Sequence, residues 1–282
     1  MARRAAQGRT QFRTLTRRGP HRVLRGDLSF GGVPGVVYTP ASGFNLPGVA
    51  FGHDWLTDIG RYEGTLAHLA SWGIVAAAPD TQRSPVPSAL SLGHDLGSTL
   101  EVISGIRLGD GDISVDEAKL AVAGHGFGAA AAVFAAAARP GVKAGVAVFP
   151  SVTKPSAEAA AAALTMPGLV LATPDDTRSL RLDALEVAAN WSGSVLRVVN
   201  RAGAAELAEK RRLAGLLGLR GSKNRTQRTV RALMTGFLLS VLAGDTSYRA
   251  FADPDARLPR TSSMDPDAPP VGHEDRIVAL FR

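Results

Sequence analysis

The sequence predicts an α/β protein: a mostly parallel, doubly wound sheet flanked by helices, without a separate cap domain. Three observations predict it. Short apolar runs alternate with stretches of helical spacing along most of the chain. Two of the runs, Ala144–Phe149 and Gly168–Ala172, are apolar throughout, as strands covered on both faces must be. The length, 282 residues, is enough for one large domain with a sizeable core plus extensions.

Residues 1–19 show no apolar periodicity and read as a flexible basic arm. His21–Phe30 and Gly35–Thr39 read as an antiparallel start around the Gly31-Gly32 turn. Pro47–Gly52 is a short apolar strand. Thr65–Trp72 has helical spacing through Leu66, Leu69 and Trp72, and Gly73 ends it. Ile74–Ala78 is a strand, and Ser88–Ile106 a long helix carrying Leu90, Leu92, Leu96, Leu100, Val102 and Ile103 on its apolar positions. Leu120–Ala123 is a strand that runs into the alanine-dominated helix Phe127–Ala138. Beyond it the reading gives helix Ala157–Ala163, strand Ser194–Val199, and helices Ala204–Leu217 and Arg228–Leu242. The main domain is therefore set at 20–250. Residues 251–282 are read as a Pro-rich extended tail ending in an apolar segment, Ile277–Phe281, that docks in cis or in trans.

Charge is unevenly placed. Residues 1–26 hold eight arginines and no acid, and residues 210–231 hold eight basic residues and no acid. The remainder carries sixteen basic residues and twenty-five acids, a net of −9 against +7 for the whole chain. Two basic segments on an acidic body favour an anionic partner: acidic protein, nucleic acid or acidic lipid. The candidate contacts are Arg3, Arg4, Arg9, Arg13, Arg17 and Arg18 in the first segment. In the second they are Lys210, Arg211, Arg212, Arg220, Lys223, Arg225, Arg228 and Arg231. With no cysteine, disulfides and thiolate metal sites are excluded. No apolar run has the length of a membrane span, and no apolar stretch follows the basic start as a secretory leader requires. The expected place is the cytoplasm or the periphery of a membrane.

The most informative motif is Ala121-Val122-Ala123-Gly124-His125-Gly126-Phe127-Gly128. It has the form of a nucleophile elbow, a strand passing through G-x-S-x-G into a helix, but glycine stands where the serine would be. Glycine can neither attack a carbonyl nor be activated to do so. The same glycines fail the dinucleotide spacing, since Ala129 and Ala130 follow Gly128, and no acidic residue lies at the required distance. Gly215–Gly221 reads as a helix end and turn.

Together with Gly48-Val49-Ala50-Phe51-Gly52-His53-Asp54-Trp55 and the stretch Leu66–Thr81, this motif resembles the α/β-hydrolase fold. More narrowly it resembles the dienelactone-hydrolase, cutinase and polyester-hydrolase branch, over roughly residues 22–250. The resemblance implies a nucleophile at position 126, here Gly126. It implies an oxyanion hole built from the backbone N–H of Phe127 and of Asp54 or Trp55, with the Asp54 charge opposing an oxyanion. It implies a triad acid at Asp176, or at its neighbour Asp175, and a triad histidine just past strand Val195–Val199. That stretch, Asn200-Arg201-Ala202-Gly203-Ala204-Ala205, contains no histidine.

The leading expectation is thus a pseudohydrolase acting as a binding or scaffold protein for an anionic partner or acyl-type ligand. Its pocket would be lined by His53, Asp54, Trp55, His125 and Phe127. No catalytic set is intact, and no metal or cofactor is expected. His125 and His53 are read first as residues that pack their turns, His68 and His94 as helix residues, and Ser151 as a loop or cap residue. Two alternatives stay open. One is an active esterase with a rearranged site that recruits His125 or His273. The other is a protein associated with nucleic acid or an anionic membrane through its basic arm.

Overall fold

The computed structural model describes residues 2–176, 179–209 and 222–262. Its strands are β1 Val23–Asp27, β2 Gly35–Pro40, β3 Gly43–Gly52, β4 Val75–Pro79, β5 Ile113–His125, β6 Ala144–Val148, β7 Gly168–Ala172, β8 Ser194–Val199 and β9 Thr261–Ser262. They form one nine-stranded sheet in the order β1-β2-β4-β3-β5-β6-β7-β8-β9. The strands from β4 to β8 in that order are parallel, while β1, β2 and β9 run antiparallel to their neighbours.

The helices are α1 Ala2–Leu15, α2 Glu63–Ser71, α3 Ala89–Gly105, α4 Phe127–Ala138, α5 Ala157–Ala161, α6 Ala184–Asn190 and α7 Ser222–Val241. One face of the sheet is covered by α1, α2 and α7, the other by α3, α4, α5 and α6. Strand residues divide between the two cores with period two: Val49 and Phe51 enter the first core and Ala50 the second. Every residue of β4, β6 and β7 is buried, which is why these segments are apolar throughout. This α/β architecture is compatible with the α/β-hydrolase fold. Among the described residues, the connection from β6 to β7 contains only the short helix α5.

Two features place the site. From β3 the chain crosses to β4 on one side, while β5 lies on the other, so the carboxyl ends of β3 and β5 flank a switch in strand order. Crevices of this kind are where open α/β sheets bind ligands. The register pairs Gly52 with Gly124. Continuing two residues along each strand brings Asp54 opposite Gly126. The approach depends on missing side chains: a Cβ on Gly52, Gly124 or Gly128 would overlap the backbone of the facing segment. Helix α4 therefore starts directly against the two strand ends.

The structure departs from the sequence reading at several elements, and β5 begins at Ile113 rather than Leu120. Residues 2–15 are a helix rather than an irregular arm, held by buried Phe12 and Leu15 against the core and by Gly8 beside Leu258 and Ala250. Helix α6 is additional. The helix expected over 204–217 begins as a single 3-10 turn, Ala204–Glu206, and residues 210–221 lie outside the described part. The expected Pro-rich extension is packed as far as residue 262. Thr261 and Ser262 pair with β8, Leu258 is buried, and the buried guanidinium of Arg197 donates to the carbonyls of Ala250, Asp253 and Ala256 at 3.2, 2.7 and 2.8 Å. Burial lowers the Arg197 pKa to about 10. The rest of the tail, including His273 and Ile277–Phe281, lies outside the described residues.

Candidate functional site

Gly126 lies between β5 and α4 with φ 57° and ψ −116°. This is the sharp strand-to-helix turn that an elbow requires, in a region that side-chain-bearing residues enter only under strain. Its N–H donates to Val148 O at 2.9 Å, and its carbonyl accepts from Ser151 N at 3.1 Å, so the turn is tied to the end of β6.

The space where a side chain at position 126 would begin is filled by Asp54. A Cβ built on Gly126 would fall on Asp54 Oδ1. That same oxygen accepts the backbone N–H of Phe127 at 2.9 Å and of Trp55 at 2.8 Å. The two donors that an oxyanion hole would use thus converge on a carboxylate supplied by the chain itself. The first turn of α4 adds its positive end, which favours a negative charge at this point.

Behind Asp54 stands a buried relay. His125 is fully buried and its Nε2 is 2.6 Å from Ala204 O. A carbonyl can only accept, so Nε2 carries the proton and Nδ1 bears the lone pair. Tyr62 donates its hydroxyl to Nδ1 at 2.8 Å and accepts the N–H of Asp54 at 3.1 Å. Burial is the main influence on both rings. It pushes the His125 pKa down, against the opposing charge of Asp54, and pushes the Tyr62 phenol up, with Asp54 adding to the rise. The ring is therefore neutral, with both nitrogens committed, and it has no free position from which to act as a general base. At 4.0 Å, Asp54 Oδ2 is a neighbour of Nδ1 rather than its hydrogen-bond partner.

The loop in which a triad histidine would stand, residues 200–205, meets the elbow through Ala204 O alone among these contacts. Asp176 is buried, whereas its neighbour Asp175 is exposed. Asp176 Oδ2 accepts from Thr173 N at 2.6 Å and, more weakly, from Thr173 Oγ1 at 3.4 Å. Burial raises its pKa to about 6. Among the described residues no imidazole is joined to it. His53 is also buried, its two ring nitrogens 2.9 and 2.7 Å from the carbonyls of Asp54 and Thr81. The rings of His53 and His125 thus spend both nitrogens on contacts within the protein, as residues that hold their turns. Trp55 is exposed, with its indole N–H 3.3 Å from Pro85 O.

Of the basic candidates, Arg17, Arg18, Arg228 and Arg231 line one cleft of about 530 Å³, together with His68. Arg9, Arg13 and Arg225 are exposed. Lys210, Arg211, Arg212 and Arg220 lie outside the described residues, as do the side chains of Arg3, Arg4 and Lys223. A second cleft, about 670 Å³, lies between α3 and α4. Neither cleft is lined by elbow residues. Among the described residues no group of His, Asp or Glu side chains is arranged to hold a metal ion, and no helix is long and apolar enough to cross a membrane.

Sequence reasoning missed Tyr62, which lies in a 3-10 turn before α2 and meets its partner 63 residues along the chain. Removing its hydroxyl strands two buried groups, His125 Nδ1 and Asp54 N–H. Tyr62→Phe is expected to cost about 2 kcal/mol, the usual penalty for such orphaned groups. Urea unfolding at neutral pH measures it, and a change within error would show that the hydroxyl does not bridge them. No protein-family model matches this chain, and no curated protein matches it.

Proposed function

We propose that this chain is a catalytically silent member of the α/β-hydrolase fold, of the dienelactone-hydrolase and cutinase type, that works by binding an anionic partner. The observation that carries the reading is the Asp54 carboxylate at Gly126. It stands where a nucleophile's side chain would start and accepts both N–H groups that would otherwise stabilise an oxyanion. A tetrahedral intermediate formed there would place negative charge against negative charge. Loss of the base supports the same reading, because His125 is committed through both nitrogens and residues 200–205 offer no imidazole. Triad members act as a unit, so two losses leave little for the remainder to do.

The partner class rests on charge. Two basic segments, distant in sequence, contribute arginines to one cleft on the face away from α3 and α4. A fluorophosphonate probe and short p-nitrophenyl esters test the silence. The purified chain is expected to show no labelled serine and no turnover above buffer. Stoichiometric labelling of any serine, or turnover that survives repeated purification and is lost on mutating Asp54 or His125, would overturn it.

A further inference from the structure

The cleft between the end of α1, the exposed side of α2 and the start of α7 concentrates positive charge that the described residues neutralise only in part. Arg17 and Arg18 come from one side and Arg228 and Arg231 from the other. Arg231 is paired with Glu209 at 2.6 Å. Among the described residues, Arg17, Arg18 and Arg228 are in no ion pair. The cations also act on one another. Burial first, and then Arg228, push the Arg231 pKa down against the pull of Glu209. Burial, then Arg225 and Arg228, do the same to Arg260 nearby on the chain's last described strand connection. Like charges held together without counterions are destabilising unless something anionic joins them.

A second observation narrows the ligand. His68 is 8% exposed and lines this cleft, and its Nε2 has no hydrogen-bond partner among the described residues. Burial, with Arg231 adding to it, lowers its pKa to about 4, so the ring is neutral and one of its nitrogens carries a proton. The buried Nε2 is therefore a neutral ring nitrogen with one hydrogen bond still to make. The cleft therefore offers guanidinium donors and, beside them, one ring nitrogen without a partner among the described residues. Guanidinium forks suit phosphate oxygens. A hydroxyl, which both donates and accepts, suits that nitrogen in either tautomer. A volume of about 530 Å³ accommodates a small molecule rather than a polymer.

We infer that this cleft binds a small phosphate ester that also carries a free hydroxyl, such as a sugar phosphate or a nucleotide. The inference rests on reading the chain as a binding protein for an anionic partner and names the site and the chemistry. Calorimetric titration of the full chain with ribose 5-phosphate, inorganic phosphate and ribose tests it, at low and high salt. Ribose 5-phosphate should bind at least about tenfold more tightly than phosphate, a difference of about 1.4 kcal/mol, and ribose should give no heat. The exposed triple variant Arg17→Ala/Arg18→Ala/Arg228→Ala should weaken binding by about tenfold or more. His68→Phe should reduce the preference for ribose 5-phosphate over phosphate. If that buried replacement fails to fold, the arginine variant decides alone. Binding that is unchanged in the arginine variant overturns the site and leaves the anionic-partner reading intact. Absence of binding to any of these, with salt-sensitive binding to duplex DNA instead, overturns the small-ligand inference but keeps that reading. Absence of both removes the two together.

Discussion

Gly126→Ser is expected to destabilise the protein by about 3 kcal/mol and to yield no esterase. Two costs combine. A serine must adopt φ 57°, a conformation that costs about 1–3 kcal/mol outside glycine. Its Cβ also falls on Asp54 Oδ1, so the carboxylate must leave and give up the N–H groups of Trp55 and Phe127. Hydrogen bonds to a charged group contribute roughly 1.5–3 kcal/mol each, partly recovered here because the Asp54 side chain is 26% exposed and can turn toward water. For a chain of this size the loss should lower Tm by roughly 6–12 °C. The sharper measurement is a double-mutant cycle. Asp54→Gly vacates the space that the serine needs, so Asp54→Gly/Gly126→Ser should be more stable than the sum of the single changes by about 2 kcal/mol. Strictly additive costs would mean that the two positions do not compete for one space. The double variant should still fail to hydrolyse esters, because among the described residues the hydroxyl would meet no free imidazole: His125 gives Nδ1 to Tyr62 and Nε2 to Ala204. A further histidine within 202–205 would be required, and a fully active Gly126→Ser single variant would show that a base exists elsewhere.

How far these features are legible in the sequence depends on the range of the interaction behind each. The parallel core is written locally. Gly168–Ala172 and Ser194–Val199 coincide with β7 and β8, and Phe127–Ala138 with α4, because burial on both faces and a run of helix formers each leave a contiguous signal. Helix α1 is hidden, since only Phe12 and Leu15 among the large apolar residues of its C-terminal half reach the core, amid arginines and threonines. The absence of a serine at 126 is plain on the page. What replaces it is not, because Asp54 reaches Phe127 only through the register that sets Gly52 beside Gly124. The two basic segments are obvious as composition. Their meeting in one cleft requires α1 and α7 to pack together, which no local pattern encodes.

Asp176→Asn is expected to stabilise the protein at pH 7.5 by about 1–3 kcal/mol and to change little at pH 4. Burial is the first cause of the raised pKa, about 6, with Glu186 adding to it, while the Thr173 N–H, the Thr173 hydroxyl and Ala184 N–H oppose. A carboxyl whose folded pKa lies above its unfolded value near 3.8 contributes stability in full only below that unfolded value. The contribution is lost as pH rises through about 6. Two pKa units correspond to about 3 kcal/mol, so ionised Asp176 is a burden at neutral pH. Asparagine keeps an oxygen for Thr173 N and removes the charge. In an enzyme such a carboxylate is offset by the imidazolium it orients. Here no imidazole among the described residues reaches it. Urea unfolding at the two pH values decides the matter. A variant less stable than the parent at pH 7.5 would show that the ionised carboxylate is compensated in the fold, and Asp176 would then regain its claim to a working role.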